Sequence, residues 1–277
     1  MFNIWRQILC LILAPTLLSS ATAKAESLDA AASDPKTMGW MQGFPPPHDR
    51  IIGYPASDYF SFPKLRWTFC HFREIQATKR VGRGIGPVSS FDEALDPAID
   101  DVIFTPIGGE EEMTWRASLA ANYTDGMLIL HRGEIVYEYY SGCLSREGRH
   151  GAMSVTKSFV GTVAEILIAE GDLDDSKLVS DYVPELKSSA FGNATVRQVM
   201  DMTTGLDYNE NYADPESDIW QYAAAGDPTP KSESYAGPRN FYEFLQGVEP
   251  EGAHGEAFIY KSINTDALAW VIARATG

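Results

Sequence analysis

The chain has 277 residues, 44% of them hydrophobic and 22% charged, with 22 Lys plus Arg against 38 Asp plus Glu and a formal net charge of -16. That length and apolar content bury enough surface to fold as one large or two small domains without disulfide or metal staples. The acidic balance argues against nucleic acid or an anionic membrane surface as partners, because binding a polyanion takes clustered Lys and Arg that replace its condensed counterions.

The first 25 residues stand apart from the rest. Arg6 precedes an apolar run from Ile8 to Leu18, broken only by Pro15. At about 11 residues this run is shorter than the roughly 20 a spanning helix needs, and Ala21-Thr22-Ala23 or Ala23-Lys24-Ala25 offers a small-x-small cleavage site. Residues 1–25 are therefore expected to be a cleavable signal peptide, leaving a periplasmic or secreted protein with no stable membrane anchor. Cys10 would leave with it. For Cys70 and Cys143, export makes a disulfide chemically possible, while two buried free thiols fit the sequence equally well.

Residues 26–110 are rich in Pro, Gly and aromatics and show no long stretch of helical periodicity, so we expect an irregular segment wrapped on the main body. Gly82, Gly84 and Gly86 mimic a phosphate loop, but Pro87 closes the run and no strand-loop-helix context surrounds it. The remaining domain, residues 111–277, is more regular. Met127-Leu128-Ile129-Leu130 and Glu134 to Tyr140 are two β-rich runs joined by His131-Arg132-Gly133, which predicts a hairpin. From Ser154, apolar positions at Val155, Phe159, Val160, Val163, Ile166 and Leu167 have helical spacing, and Gly171 supplies a left-handed stop. Thr195 and Gln198 have the form of a capping box opening a short helix. Residues 207–256 are polar, acidic and turn-rich, and are read as surface loops and short helices, with a last helix over 262–275.

A nucleophilic serine must be activated, and a lysine three residues later on a helix puts an amine on the neighbouring turn of the same face. Ser-x-x-Lys occurs three times, at Ser33, Ser61 and Ser154. Pro35 and Pro63 stand just before the lysine in the first two and push their predecessors out of the α region, which leaves Ser154 and Lys157. Lysine's ordinary pKa of about 10.4 makes it a poor base unless burial or neighbouring charge lowers it. A second polar group would help, and Tyr260 in Phe258-Ile259-Tyr260-Lys261-Ser262 is a candidate, although an interior aromatic fits that position as well. There is no Gly-x-Ser-x-Gly elbow, no His-Glu-x-x-His and no Cys-x-x-Cys, and the five histidines are scattered singly, so neither a metal nor a cofactor is expected. His254 is read as a loop histidine.

These residues resemble the serine hydrolases of the penicillin-recognising kind: class C β-lactamases, DD-peptidases, related esterases and especially the 6-aminohexanoate-dimer (nylon-oligomer) hydrolases. Gly126 to Val136 resembles that group's opening hairpin, Met153 to Phe159 its nucleophile motif, and Leu173–Leu186 and Thr195–Leu206 the segments that follow. Tyr260-Lys261-Ser262 falls where its Tyr-x-Asn or Tyr-x-Ser motif stands. The resemblance implies an α+β fold of the β-lactamase/transpeptidase type, an antiparallel sheet flanked by helices plus an all-helical region with the site at their junction. It implies Ser154 as nucleophile, Lys157 as activator, Tyr260 as proton shuttle and Ser262 as a substrate-binding residue, acting on a small-molecule amide or ester. Ser262 in place of Asn favours amidase or esterase over lactamase activity. The group's third motif, on a strand that lines the oxyanion hole, is absent, so the chain is expected to be incomplete at its C-terminus and to lack several strands. Loss of one oxyanion donor costs roughly two to three powers of ten in rate.

Overall fold

The computed structural model describes residues 28–53, 58–227 and 230–277. The expected signal peptide lies outside the described residues, among which no helix is long and apolar enough to cross a membrane.

Residues 28–114 hold one regular helix, α1 (Leu65–Ile75), with three short 3-10 turns and the two-residue strands β1 (Asp92–Glu93), β2 (Ile103–Phe104) and β3 (Met113–Thr114). α1, at 11 residues, is a helix that the reading of this segment as irregular did not single out. It is amphipathic, and a non-helical His71 kinks it ahead of its last turn. Trp40, Ile52 and Trp67 form a small buried cluster here, and β2 pairs with β3.

After α2 (Trp115–Ala121) come β4 (Gly126–His131) and β5 (Glu134–Tyr140), the predicted hairpin. Arg132 and Gly133 connect them, both with positive φ, at 54° and 87°. This is the backbone a two-residue hairpin loop requires, because its twist then matches that of the flanking strands. The sheet order is β1-β5-β4, with β1 parallel and β4 antiparallel to β5. One face of the hairpin is covered by α2, whose Trp115 meets Tyr137 edge-on and whose Arg116 lies 4.5 Å over the Tyr139 ring. On the other face Leu128 and Leu130 are exposed.

A polar knot ties α1 to the chain that follows β5. Arg66 and Asp125, both buried, form an ion pair at 3.0 Å, and Arg66 also donates to the Ala30 carbonyl and to Ser33 Oγ. His150 reaches the other Asp125 oxygen at 3.2 Å. Cys70 and Cys143 are joined by a disulfide across 73 residues of sequence, which settles the alternative left open above. Gly151 passes so close to α1 that a Cβ would lie 2.1 Å from the Phe72 ring, and its N–H donates to the Phe69 carbonyl at 2.7 Å.

The rest of the chain is helical. α3 (Val155–Glu170) ends where Gly171, at φ 85°, turns its N–H back to the carbonyls of Leu167 and Ile168. It is followed by α4 (Val179–Tyr182), α5 (Val196–Met200), α6 (Asp218–Gly226), α7 (Phe241–Gln246) and α8 (Ile263–Thr276). Both halves of the Thr195/Gln198 capping box form. Leu186, Phe191, Leu206, Leu245, Ile263 and Val271 are fully buried at the centre of one continuous core. Burying a side chain of this size contributes about 1.5–3 kcal/mol. α3 enters this core through Ala164, Val160 and Leu167, while Val155, Phe159, Val163 and Ile166 form a second, exposed stripe on the same helix.

Candidate active site

Met153 has φ 44°, in the left-handed region, so the chain turns sharply before α3 begins. Ser154 follows as the residue capping α3, yet its side chain accepts no capping hydrogen bond from the helix, so its hydroxyl is free for other partners. One helical turn on, Lys157 Nζ donates to Ser154 Oγ at 3.0 Å. From the other end of the chain, Tyr260 OH donates to the same oxygen at 2.8 Å, and Lys157 Nζ lies 5.2 Å from the Tyr260 ring centroid. The structure thus brings together Ser154, Lys157 and Tyr260, two of them local and one 106 residues away.

Two opposing influences act on the Tyr260 phenol. Burial raises its pKa, but hydrogen bonds with Lys157 and Ser154, the Lys157 charge and Ser262 outweigh that, and the net value falls below the usual tyrosine range. A phenol so placed gives up and regains its proton more readily than a free one. Ser154 itself is exposed, and Tyr260 is 43% exposed, so a substrate carbonyl can reach the hydroxyl from solvent. The first amides of α3 are taken up locally, with the N–H groups of Val155, Thr156 and Lys157 donating to the carbonyls of Ala152, Met153 and Ser154, each at 3.0 Å.

Ser262 takes a different place from the substrate-facing one expected. It is buried, and both its N–H and its hydroxyl donate to the Glu210 carboxylate, each at 2.7 Å. Glu210 also accepts from Tyr212 OH at 2.8 Å. Burial and this contact push the Tyr212 phenol up to about 12. Beside Ser262, Lys261 is only 4% exposed and donates to the Leu206 carbonyl. Burial pulls its amine down, against the opposing charges of Glu251 and Asp207. Neither Glu210 nor Lys261 carries a spacing signal.

His254 is a structural pin, in keeping with its reading as a loop residue. Its Nδ1 accepts the Gly205 N–H at 2.9 Å while Nε2 faces Asn193 Oδ1 at 3.0 Å. A cavity of about 680 Å³ lies away from Ser154, between α1 and β4, lined by Phe62, Leu65, Phe69, Tyr123 and Leu144 over Arg66 and Asp125. Cys70, Cys143 and His150 come close enough together to suggest a metal site, but the two sulfurs are bonded to each other.

The hairpin, the helix that starts at Ser154 and the returning tyrosine all fall within residues 115–277, which match the family model described as Beta-lactamase. The chain belongs to the β-lactamase family. It is 35% identical over 235 residues to the 6-aminohexanoate-dimer hydrolase of Paenarthrobacter ureafaciens, covering 81% of this chain and 55% of that protein. A solved structure assigned as a 6-aminohexanoate-dimer hydrolase from Bacillus anthracis superposes with a TM-score of 0.70 at 30% identity, covering 79% of this chain and 56% of that one. A shorter match, 45% identical over 53 residues, is to a β-lactamase of Providencia stuartii and covers 19% of this chain and 14% of that protein. The chain therefore spans about half the length of the first two relatives. Within the family it has the expected β-lactamase/transpeptidase-like α+β fold, and it is a hydrolase relative.

Proposed function

We propose that this protein is an exported serine hydrolase that cleaves a small amide or ester through an acyl-enzyme on Ser154. The observation that carries the reading is the convergence of the Lys157 amine and the Tyr260 phenol on one hydroxyl that no helix cap consumes. Ser154 Oγ attacks the carbonyl carbon as the Tyr260 phenolate, held by the Lys157 charge, takes its proton. Tyr260 then passes a proton to the departing nitrogen or oxygen as the old bond breaks, leaving an ester on Ser154. Water attacks that ester by the reverse proton path, releases the acid and restores the serine. No step calls for a cofactor. The relatives' names support an amide of small size as substrate. The Cys70–Cys143 disulfide supports export, because such bonds persist in oxidising compartments.

A fluorophosphonate probe is expected to label the protein at one site. Ser154→Ala should abolish the labelling, and Lys157→Ala should slow it by roughly two to four powers of ten. Labelling that survives Ser154→Ala at the parent rate refutes the assignment. Covalent capture of a labelled penicillin would redirect the reading towards a cell-wall peptidase.

A further inference from the structure

Tyr260 can serve Ser154 only if its own backbone is fixed, and the segment carrying it is pinned to residues 202–210 at three points. Ile259 N–H donates to the Met202 carbonyl at 3.0 Å, Lys261 Nζ to the Leu206 carbonyl, and Ser262 to Glu210. The third pin differs in kind. Glu210 receives three donors, with the Ser262 N–H on Oε2 and the hydroxyls of Ser262 and Tyr212 on Oε1. Only an ionised carboxylate can accept all three, since an amide in its place would turn an NH2 donor towards donors.

We propose that Glu210 is a positioning residue for Tyr260: by holding the backbone N–H and the hydroxyl of Ser262 together, it fixes the phenol on Ser154 and keeps the Ser262 proton directed away from it. The inference rests on the Ser154–Lys157–Tyr260 reading above and adds to it a residue from the acidic loop. The groups that act on Tyr260 are Ser154 and Lys157 at the start of α3, Tyr212 from that loop and Ser262 at the start of α8, while Asp266 on α8 is within electrostatic reach of Lys157. In this setting the Ser262 hydroxyl proton is committed to Glu210. Without the carboxylate, its hydroxyl is released to donate fully to the phenolate, and Tyr260 should titrate lower still.

The test is made on the whole chain with two readouts. Tyrosines are labelled with 13C at Cζ, and the Tyr260 resonance is identified by its loss in Tyr260→Phe. The rate of Ser154 labelling by the fluorophosphonate is followed in parallel. In Glu210→Gln the Tyr260 midpoint should move to lower pH by roughly half a unit or more. Labelling should slow by roughly tenfold, as expected when a reacting group loses its alignment. Ser262→Ala should leave the midpoint near the parent's, and in the Glu210→Gln/Ser262→Ala double variant the downward shift should shrink to what loss of the carboxylate charge alone produces, because the hydroxyl that mediates the rest is gone. Glu210→Asp retains the charge and should fall between parent and Gln in labelling, and it serves as the decisive variant if the Gln form does not fold. An unmoved midpoint in Glu210→Gln overturns the inference, whether labelling is unchanged or falls with the melting temperature, since the residue is then only a brace. Failure of Ser154→Ala to abolish labelling instead overturns the reading beneath it.

Discussion

The two halves of this molecule are held together by different means. Residues 160–275 share one continuous apolar core, with Phe191, Leu186 and Ile263 fully buried, and are bound by many small packing contacts. Among the described residues of 28–150 the buried apolar cluster is the small one of Trp40, Ile52 and Trp67, and this region relies instead on a few strong ties: the Arg66–Asp125 pair and the Cys70–Cys143 bond. A distributed core degrades gradually as atoms are removed, whereas a region held by single ties fails when one is cut. Ser154 sits where the two regimes meet. Its helix is anchored in the first, and the residues leading into it are anchored in the second.

The sharpest way to break the contrast is Phe191→Ala, which leaves a cavity at the centre of the helical core and should cost about 3–5 kcal/mol. Chemical denaturation followed by far-ultraviolet circular dichroism measures it, and a loss under about 1 kcal/mol would mean that the core is not the shared support described. Cutting the disulfide by Cys70→Ser/Cys143→Ser should cost about 4 kcal/mol from the freed loop between the two positions, and its effect should stay local. Hydrogen exchange is expected to speed up in α1 and β5 while amides in α5 and α8 remain protected; uniform acceleration would show one cooperative unit. The smallest effect concerns pH. Burial lowers His254 below its usual value, against an opposing hydrogen bond to the Ala190 backbone, so the folded state favours the neutral ring. The His254 contribution is therefore present above the unfolded value of about 6.5 and is lost as pH falls through the lower folded value. His254→Gln should flatten the decline in melting temperature on the acid side of neutrality, and an unchanged slope would remove His254 from the account.

Much of the architecture was legible because it is governed locally. The hairpin follows from β-rich runs around Arg132-Gly133, α3 from its apolar spacing and Gly171, and α5 from the Thr195/Gln198 pair. Lys157 could be paired with Ser154 from three-residue spacing, since proline excludes the two competing matches. What escaped depends on distant parts of the chain meeting. α1 is only 11 residues long and is kinked at His71, and the disulfide joins positions whose proximity no spacing encodes. Ser262 was read as facing the substrate because its burial against Glu210 depends on how the acidic loop folds back over 52 residues.

Met153 carries a consequence for anyone who would redesign this protein. A thioether side chain occupies, at φ 44°, a conformation in which glycine is most at ease, and L-residues adopt it at a cost of about 1–2 kcal/mol. Met153→Gly would relieve that strain and at the same time give the bend new freedom, trading a taut hinge for a slack one. The bend ahead of Ser154 is thus held at an energetic cost, and a variant selected only for heat resistance would tend to relax it.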